Sequence, residues 1–530
     1  MRRINKLAAA VLSVSFLAWG PGMAAAAAAG KVKNEVLDNR AGYEVITEAG
    51  TGEVAFRDGA GGAFYLPSAL LYESKAKRLL VADTYNQRLR AVENKRISTV
   101  AGTDLGTDER GAAAGGLQDG VGKTAAFDHP AGIAADSKGK IYVADSGNHA
   151  IRAVDAKGQV STVAGNGLLG FKDGKGEAAR FYNPLDVAVA ADGTIYVADT
   201  LNHVIRKIAG DTVTTLNAPS TRVAEVFPGL VEPAGDYADG PLKSAKFNEP
   251  SGLAIDGKGN LYVSDTGNQR IRYIDFAAGT VTTVAGGEQG KLAYPARSLY
   301  AEGGFADGAA AEARFNAPRG LAFTPDGGLL IADSLNHVIR YLYNDEVITV
   351  AGQPGESGKA DGPALAAAFN RPLDVERLGD GRFAVADSGN SLVRMIIPFQ
   401  LPAGGMTASG YKLVYNKELL TADAPPIAKN GTIFVPVRVL TERLGYSVAY
   451  RSGQAILGGK DVNYTVEIGS KNVAKTAVKA GQKTFVALAE APFSRQNRLY
   501  VPVRFFAEEL GLDVKWLAKQ QTILIRDTYS

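Results

Sequence analysis

One stretch of twelve residues, IYVADSGNHAIR from Ile141 to Arg152, constrains this chain more than any other, because five further copies stand along the sequence. They are LLVADTYNQRLR (79–90), IYVADTLNHVIR (195–206), LYVSDTGNQRIR (261–272), LLIADSLNHVIR (329–340) and FAVADSGNSLVR (383–394), and all six keep D-x-x-N-x-x-x-R. The aspartates, Asp83, Asp145, Asp199, Asp265, Asp333 and Asp387, recur 54 to 68 residues apart, the period of a propeller or an array. Each copy predicts a strand ending at the Asp, a tight turn around the Asn, and a returning strand. The returning strand carries Arg90, Arg152, Arg206, Arg272, Arg340 or Arg394.

The hairpin lies inside a longer unit. In the fourth copy SGLAID (251–256), LYVSD (261–265), RIRYIDF (270–276) and VTTVAG (281–286) read as four strands. An F-x-x-P pair precedes the unit and recurs as Phe64/Pro67, Phe127/Pro130, Phe181/Pro184, Phe247/Pro250, Phe315/Pro318 and Phe369/Pro372. Proline is tolerated at the first residue of a strand, where its missing donor breaks no ladder bond. Each repeat is therefore expected to form a four-stranded antiparallel sheet, and six such sheets bury both faces by stacking around an axis. The last repeat lacks a fourth strand, whereas YEVITEAGTG (43–52) at the front resembles one. That segment is expected to complete the sixth sheet and shut the ring.

Repeat two resembles the signature of the NHL family, P-x-G-[IL]-A followed by G-x-[IL]-Y-V-A-D-[ST]-x-N-H-x-I-R, and the resemblance covers roughly residues 41–399. The resemblance implies a mainly β, six-bladed propeller that binds proteins, nucleic acid or other ligands, a few relatives being enzymes. After a Pro/Gly linker (400–410) the pattern changes: FVPVRVLTERLGYSVAY (434–450) matches YVPVRFFAEELGLDVKW (500–516). Pro436 and Pro502 suit a first helical turn, Val439, Leu440 and Leu444 or Phe505, Phe506 and Leu510 form an apolar stripe, and Gly445 or Gly511 ends each helix. A small α+β domain built from a duplicated αββ unit is expected over 411–530. V-P-V-R…E-x-L-G resembles the copper amine oxidase N-terminal-domain-like family, modules appended to exported proteins of Gram-positive bacteria. Copper is nonetheless not expected, since residues 403–530 hold neither His nor Cys. Arg438/Glu442 and Arg504/Glu508 read as i,i+4 surface pairs.

The front of the chain reads as a signal peptide over 1–29: Arg2, Arg3 and Lys6, then an apolar run from Leu7 to Trp19, then alanines at 24–29. Its removal takes three positive charges with it and cancels the formal net charge of +3, so nothing argues for nucleic acid. The sequence has no cysteine, hence no disulfides, and no second long apolar run for a membrane span. A secreted, possibly cell-wall-associated protein is expected.

Candidate site residues follow from departures within the repeat. The six Asp/Asn/Arg sets read as a packing device, because a buried arginine needs a carboxylate partner. His149, His203 and His337 share one turn position, so their recurrence belongs to the repeat and no zinc site is expected. The D-G loops at Asp58, Asp119, Asp173, Asp239, Asp307 and Asp361 read as Asx turns, or alternatively as an acidic face taking calcium. Where other repeats place a small residue after P-x, repeats three and six place Asp186 and Asp374, on opposite sides of a six-membered ring. These carboxylates are expected to cap turns, or to face each other and hold calcium or a polar ligand. Phe227, Tyr237, Tyr294, Arg297 and Tyr300 lie in two long loops on the face shared by the D-x-x-N turns, and suit a protein or glycan surface. No catalytic set stands out. A cell-surface binding or scaffold protein is the first expectation, with the C-terminal module aiding attachment or assembly. A metal-dependent propeller lactonase or lyase is the alternative, and no organic cofactor is expected.

Overall fold

The computed structural model describes residues 34, 36–37, 40–109, 111, 113–287, 292–402, 410–420, 424–451, 453–517 and 520–527, without the side chains of 41, 442 and 506–508. The expected signal segment therefore lies outside the described residues, as do most of the linker and the side chains of Glu442 and Glu508 on which the two helical pairs depend.

The chain is mainly β. Each copy of the twelve-residue stretch forms the middle of an antiparallel sheet, in the first case Pro67–Glu73, Arg78–Asp83, Arg88–Glu93 and Arg96–Ala101 side by side. The following sheets begin with Pro130–Ala135, Pro184–Val189, Pro250–Ile255, Pro318–Phe323 and Pro372–Gly379, each opening on its proline. The first strands touch in sequence, and Pro372–Gly379 returns to Pro67–Glu73, so they enclose an axis. The last sheet takes its fourth strand from the front of the chain: Tyr43–Ala49 pairs antiparallel with Leu392–Pro398, Tyr43 opposite Pro398 and Val45 opposite Ile396.

Strand alternation explains how one sheet serves two neighbours. Along Arg78–Asp83, Leu79 and Val81 pack towards the last sheet, with Ala384 and Val393, while Leu80 and Ala82 pack towards the second, with Phe127 and Val143. The core is thus divided into seams between consecutive sheets, each holding one phenylalanine of the F-x-x-P pairs, all six of which are buried. Five sheets carry a fifth strand of two residues, such as Gly120–Val121 and Gly362–Pro363, which the four-strand expectation lacked. It follows the D-G aspartate and covers the outer edge, where an open row of backbone groups would invite pairing with another chain.

The C-terminal unit holds helices Val437–Arg443 and Arg504–Leu510, each followed by a hairpin, Ser447–Arg451/Gln454–Gly458 and Leu512–Leu517/Thr522–Asp527. The two V-P-V segments pair with each other, Phe434 opposite Pro502 and Pro436 opposite Tyr500. Both prolines therefore end strands ahead of the helices and lie outside their first turns. Val437, Leu440, Leu499 and Phe505 share one core. The unit rests on the strand that shuts the ring: buried Arg526 donates to the Tyr43 carbonyl at 3.2 Å and pairs with Asp513 at 2.5 Å, and Phe399 packs on Val414 and Leu524.

Candidate functional site

The D-x-x-N-x-x-x-R set is one hydrogen-bonded device made six times. In the first repeat Asp83 Oδ1 accepts the Tyr65 amide at 2.8 Å, and its Oδ2 accepts Asn86 Nδ2 at 2.9 Å and Arg90 Nη1 at 2.5 Å. Arg90 Nη2 then reaches Asp58 of the D-G loop at 2.6 Å. Arg152, Arg206, Arg272, Arg340 and Arg394 join Asp145 to Asp119, Asp199 to Asp173, Asp265 to Asp239, Asp333 to Asp307 and Asp387 to Asp361 in the same way. All six guanidiniums are fully buried. Burial pushes Asp83, Asp145, Asp199, Asp333 and Asp387 up to about 6 despite their arginines. At Asp58, Asp119 and Asp173 desolvation is outweighed by the bonds from Arg and Thr, which hold these carboxyls below the usual range. The D-G carboxylates are therefore ion-pair partners of buried arginines.

The residue after each Asn adopts a left-handed backbone, φ 50° at His149 and 57° at His203. Its side chain accepts the backbone N–H that precedes the next sheet's proline. His149, His203 and His337 receive Asn183, Glu249 and Arg371 on Nδ1 at 3.2, 3.1 and 3.0 Å. Gln87 and Gln269 do the same for His129 and Ala317 through Oε1, and Ser391 Oγ receives Leu66. The shared requirement is an acceptor, which is why His, Gln and Ser interchange. Burial depresses all three histidines, His203 to about 4.

What the repeat leaves unexplained converges on the axis. A cavity of about 350 Å³ is lined by the first strands of the sheets, and Asp186, Asp374, Glu376 and Arg319 are its charged residues. Asp186 accepts the Val187 amide and, from the next sheet, the Leu253 amide, both at 2.8 Å. Asp374 does the same with Val375 and Leu70, both at 2.8 Å, and Glu376 accepts the Tyr72 amide at 3.0 Å. Each aspartate lies against a glycine of the preceding sheet: a Cβ on Gly132 would stand 2.2 Å from Asp186 Oδ1, and one on Gly320 2.0 Å from Asp374 Oδ1. The pair thus fastens three sheets on each side. Desolvation drives Asp186 and Glu376 up to about 7, against the amides that lower them, and drives Asp374 well above the normal range with help from the Asp186 charge. The structure brings Asp186 and Asp374 into one cavity, where they bridge sheets rather than cap their own turns. Glu376 and Arg319 were missed. Both break the repeat at inward positions, Glu376 where repeat three has Ala188 and Arg319 where other repeats have Ser, Ala or Leu.

The five loop residues divide between half-buried and exposed positions. The Tyr237 ring lies 4.6 Å from the guanidiniums of Arg270 and Arg272, and its hydroxyl bonds Asp239 and Thr283. Tyr294 lies under Arg222 at 3.7 Å and donates to Asn268. Both rings are half-buried, one face of each covered by arginine, so they offer a partner less surface than expected. Phe227, at 67% exposure, Arg297 and Tyr300 stay at the surface, Tyr300 donating to Glu249 at 2.9 Å. Among the described residues no group of three His, Cys, Asp or Glu is placed to hold a metal ion, and no helix is long and apolar enough to cross a membrane.

Comparison with known proteins assigns both halves. The NHL repeat model matches residues 127–153, 181–208 and 247–272, and the copper amine oxidase N-terminal domain model matches 414–525. The name of the second implies copper, which its donor set does not fit. The chain is 32% identical over 291 residues to Protein SUPPRESSOR OF QUENCHING 1, chloroplastic, of Arabidopsis thaliana, covering 53% of this chain and 26% of that protein. It is 29% identical over 358 residues to NHL repeat-containing protein 2 of Bos taurus, covering 62% and 47%. The chain thus spans less than half the length of either relative. An auxiliary nutrient binding protein from Bacteroides ovatus superposes with a TM-score of 0.47 at 17% identity, over 68% of this chain and 77% of that one. At that level the likeness bears on neither ligand nor activity.

Proposed function

We propose that this chain, which carries NHL repeats and a copper amine oxidase N-terminal domain, is an exported binding and scaffold protein: a six-bladed propeller over 41–399, a linker at 400–410, and a module of two αββ halves over 411–530. One observation carries the reading. The polar side chains that recur in the repeat hold sheets together, so the loop face offers a partner its exposed loop side chains, Phe227, Arg297 and Tyr300 among them. Aromatic and arginine side chains on a stiff support suit recognition of a protein or glycan. The module serves attachment or assembly. Retention of purified protein by isolated cell envelopes tests this: loss of retention on deleting 219–235 supports the loop face, and equal retention refutes it.

A second reading rests on the axial carboxylates. Asp186 and Asp374, raised together in one cavity, suit a calcium ion or the polar group of a small ligand, as a propeller lactonase or lyase would need. Calorimetry with Ca²⁺ on wild type and an Asp186→Ala/Asp374→Ala double variant decides it. Identical heats rule out this site.

A further inference from the structure

The loop between the third and fourth sheets forms a hairpin of its own, Val223–Phe227 paired with Leu230–Pro233. Its base is fixed. Arg222 donates to the carbonyls of Gly235, Ser298 and Leu299, its guanidinium over the Tyr294 ring. Its outer part shows Val223, Phe227, Leu230 and Val231 to solvent at 49–67% exposure. Glu225 and Glu232 supply its only charges, Glu225 accepting the Gly229 amide at the tip. A braced hairpin exposing four apolar residues is an unsatisfied surface.

The C-terminal unit has the counterpart. A groove of about 690 Å³ runs between its sheets, walled by Ile433, Leu488, Phe505, Val514 and Trp516, the last 38% exposed. Among the described side chains its charged lining residues are Arg504 and Lys515, and Lys515 lies 3.1 Å from Asp513. An apolar slot with a basic rim fits an apolar, acidic insert. Arg526 and the Tyr43 carbonyl fix this unit to the sixth sheet, while the hairpin leaves the ring between the third and fourth, on the opposite side. In the structure no residue of the chain's own hairpin lines its groove.

We propose that the groove takes the 223–233 hairpin of a second copy, Phe227 and Leu230 entering the slot and Glu232 meeting Arg504. The two surfaces differ, so the contact is head-to-tail and leaves a free hairpin at one end and a free groove at the other, giving open chains or closed rings of copies. This deepens the assembly part of the function proposed above. It is read by self-association, which is independent of envelope retention and of calcium.

Sedimentation velocity over a concentration series tests it, with a Phe227→Ser/Leu230→Ser variant and a Trp516→Ala/Arg504→Glu variant, folding being checked by circular dichroism. The wild-type mass is expected to rise with concentration. Each variant alone is expected to stay monomeric, and an equimolar mixture to form a dimer and nothing larger, each chain supplying the half its partner lacks. Glu232→Arg is expected to weaken association and Arg504→Glu, added to it, to restore it. A wild type monomeric throughout, a folded variant that still associates alone, or a mixture of folded variants that fails to dimerise overturns the proposal. Should the double groove variant not fold, Trp516→Ala alone replaces it.

Discussion

The Arg206 guanidinium is the clearest case of a side chain whose removal leaves charge behind. Arg206→Met strands the buried Asp199 and frees Asp173, so a loss of about 3–5 kcal/mol is expected in chemical denaturation, and much less when Asp199→Asn accompanies it. His203 predicts an acid limit. Its folded pKa lies below its unfolded value, so the stability it contributes is complete above about pH 6.5 and lost as pH falls towards 4. His203→Gln, the residue found at the matching positions 87 and 269, is expected to abolish that dependence in melting curves taken from pH 4 to 7. Asp186 has the opposite sign. Its raised pKa makes its contribution complete below about pH 4 and lost as pH rises through about 7, so Asp186→Asn is expected to reduce the fall in stability over that window, by up to about 1.4 kcal/mol per pH unit. The Asp/Asn/Arg roles were legible because six copies share them and a buried arginine admits few explanations. The histidine role was not, because its partner is an amide of the following repeat, and repetition along a chain says nothing of contacts between its units.

Among the elements, the strand Tyr43–Ala49 shows how far pattern alone reaches. The last repeat lacked a fourth strand and the front of the chain had one to spare, and the structure pairs the two. Deleting 43–49 is expected to leave Leu392–Pro398 as a bare edge and to give aggregates or swapped dimers in light scattering. Val45→Ala, in the core between the fifth and sixth sheets, is expected to cost about 2 kcal/mol or more. The two-residue outer strands escaped the sequence because such a strand has no periodicity; the D-G aspartates that position them were visible, but not as strand anchors. The tyrosines at 237 and 294 are half-covered for a related reason: an aromatic residue in a long loop reads as open surface until the arginine against it is located.

At the scale of the whole molecule the two halves meet along the strand that shuts the ring, where Arg526 of the last strand holds the carbonyl of Tyr43 and Phe399 packs on Val414 and Leu524. Arg526→Ala is expected to cost about 3 kcal/mol and to lower the melting of ring and module together, seen as one shifted transition in calorimetry rather than two. That joint also orders events in time. Val45 pairs with Gly362 on one side and Ile396 on the other, so at about 5–20 residues per second this front strand waits roughly 20–70 s for its ladder to be complete. Through that interval every repeat already made lacks the ladder that closes the circle, and Leu392–Pro398 has yet to cover the edge of the front strand.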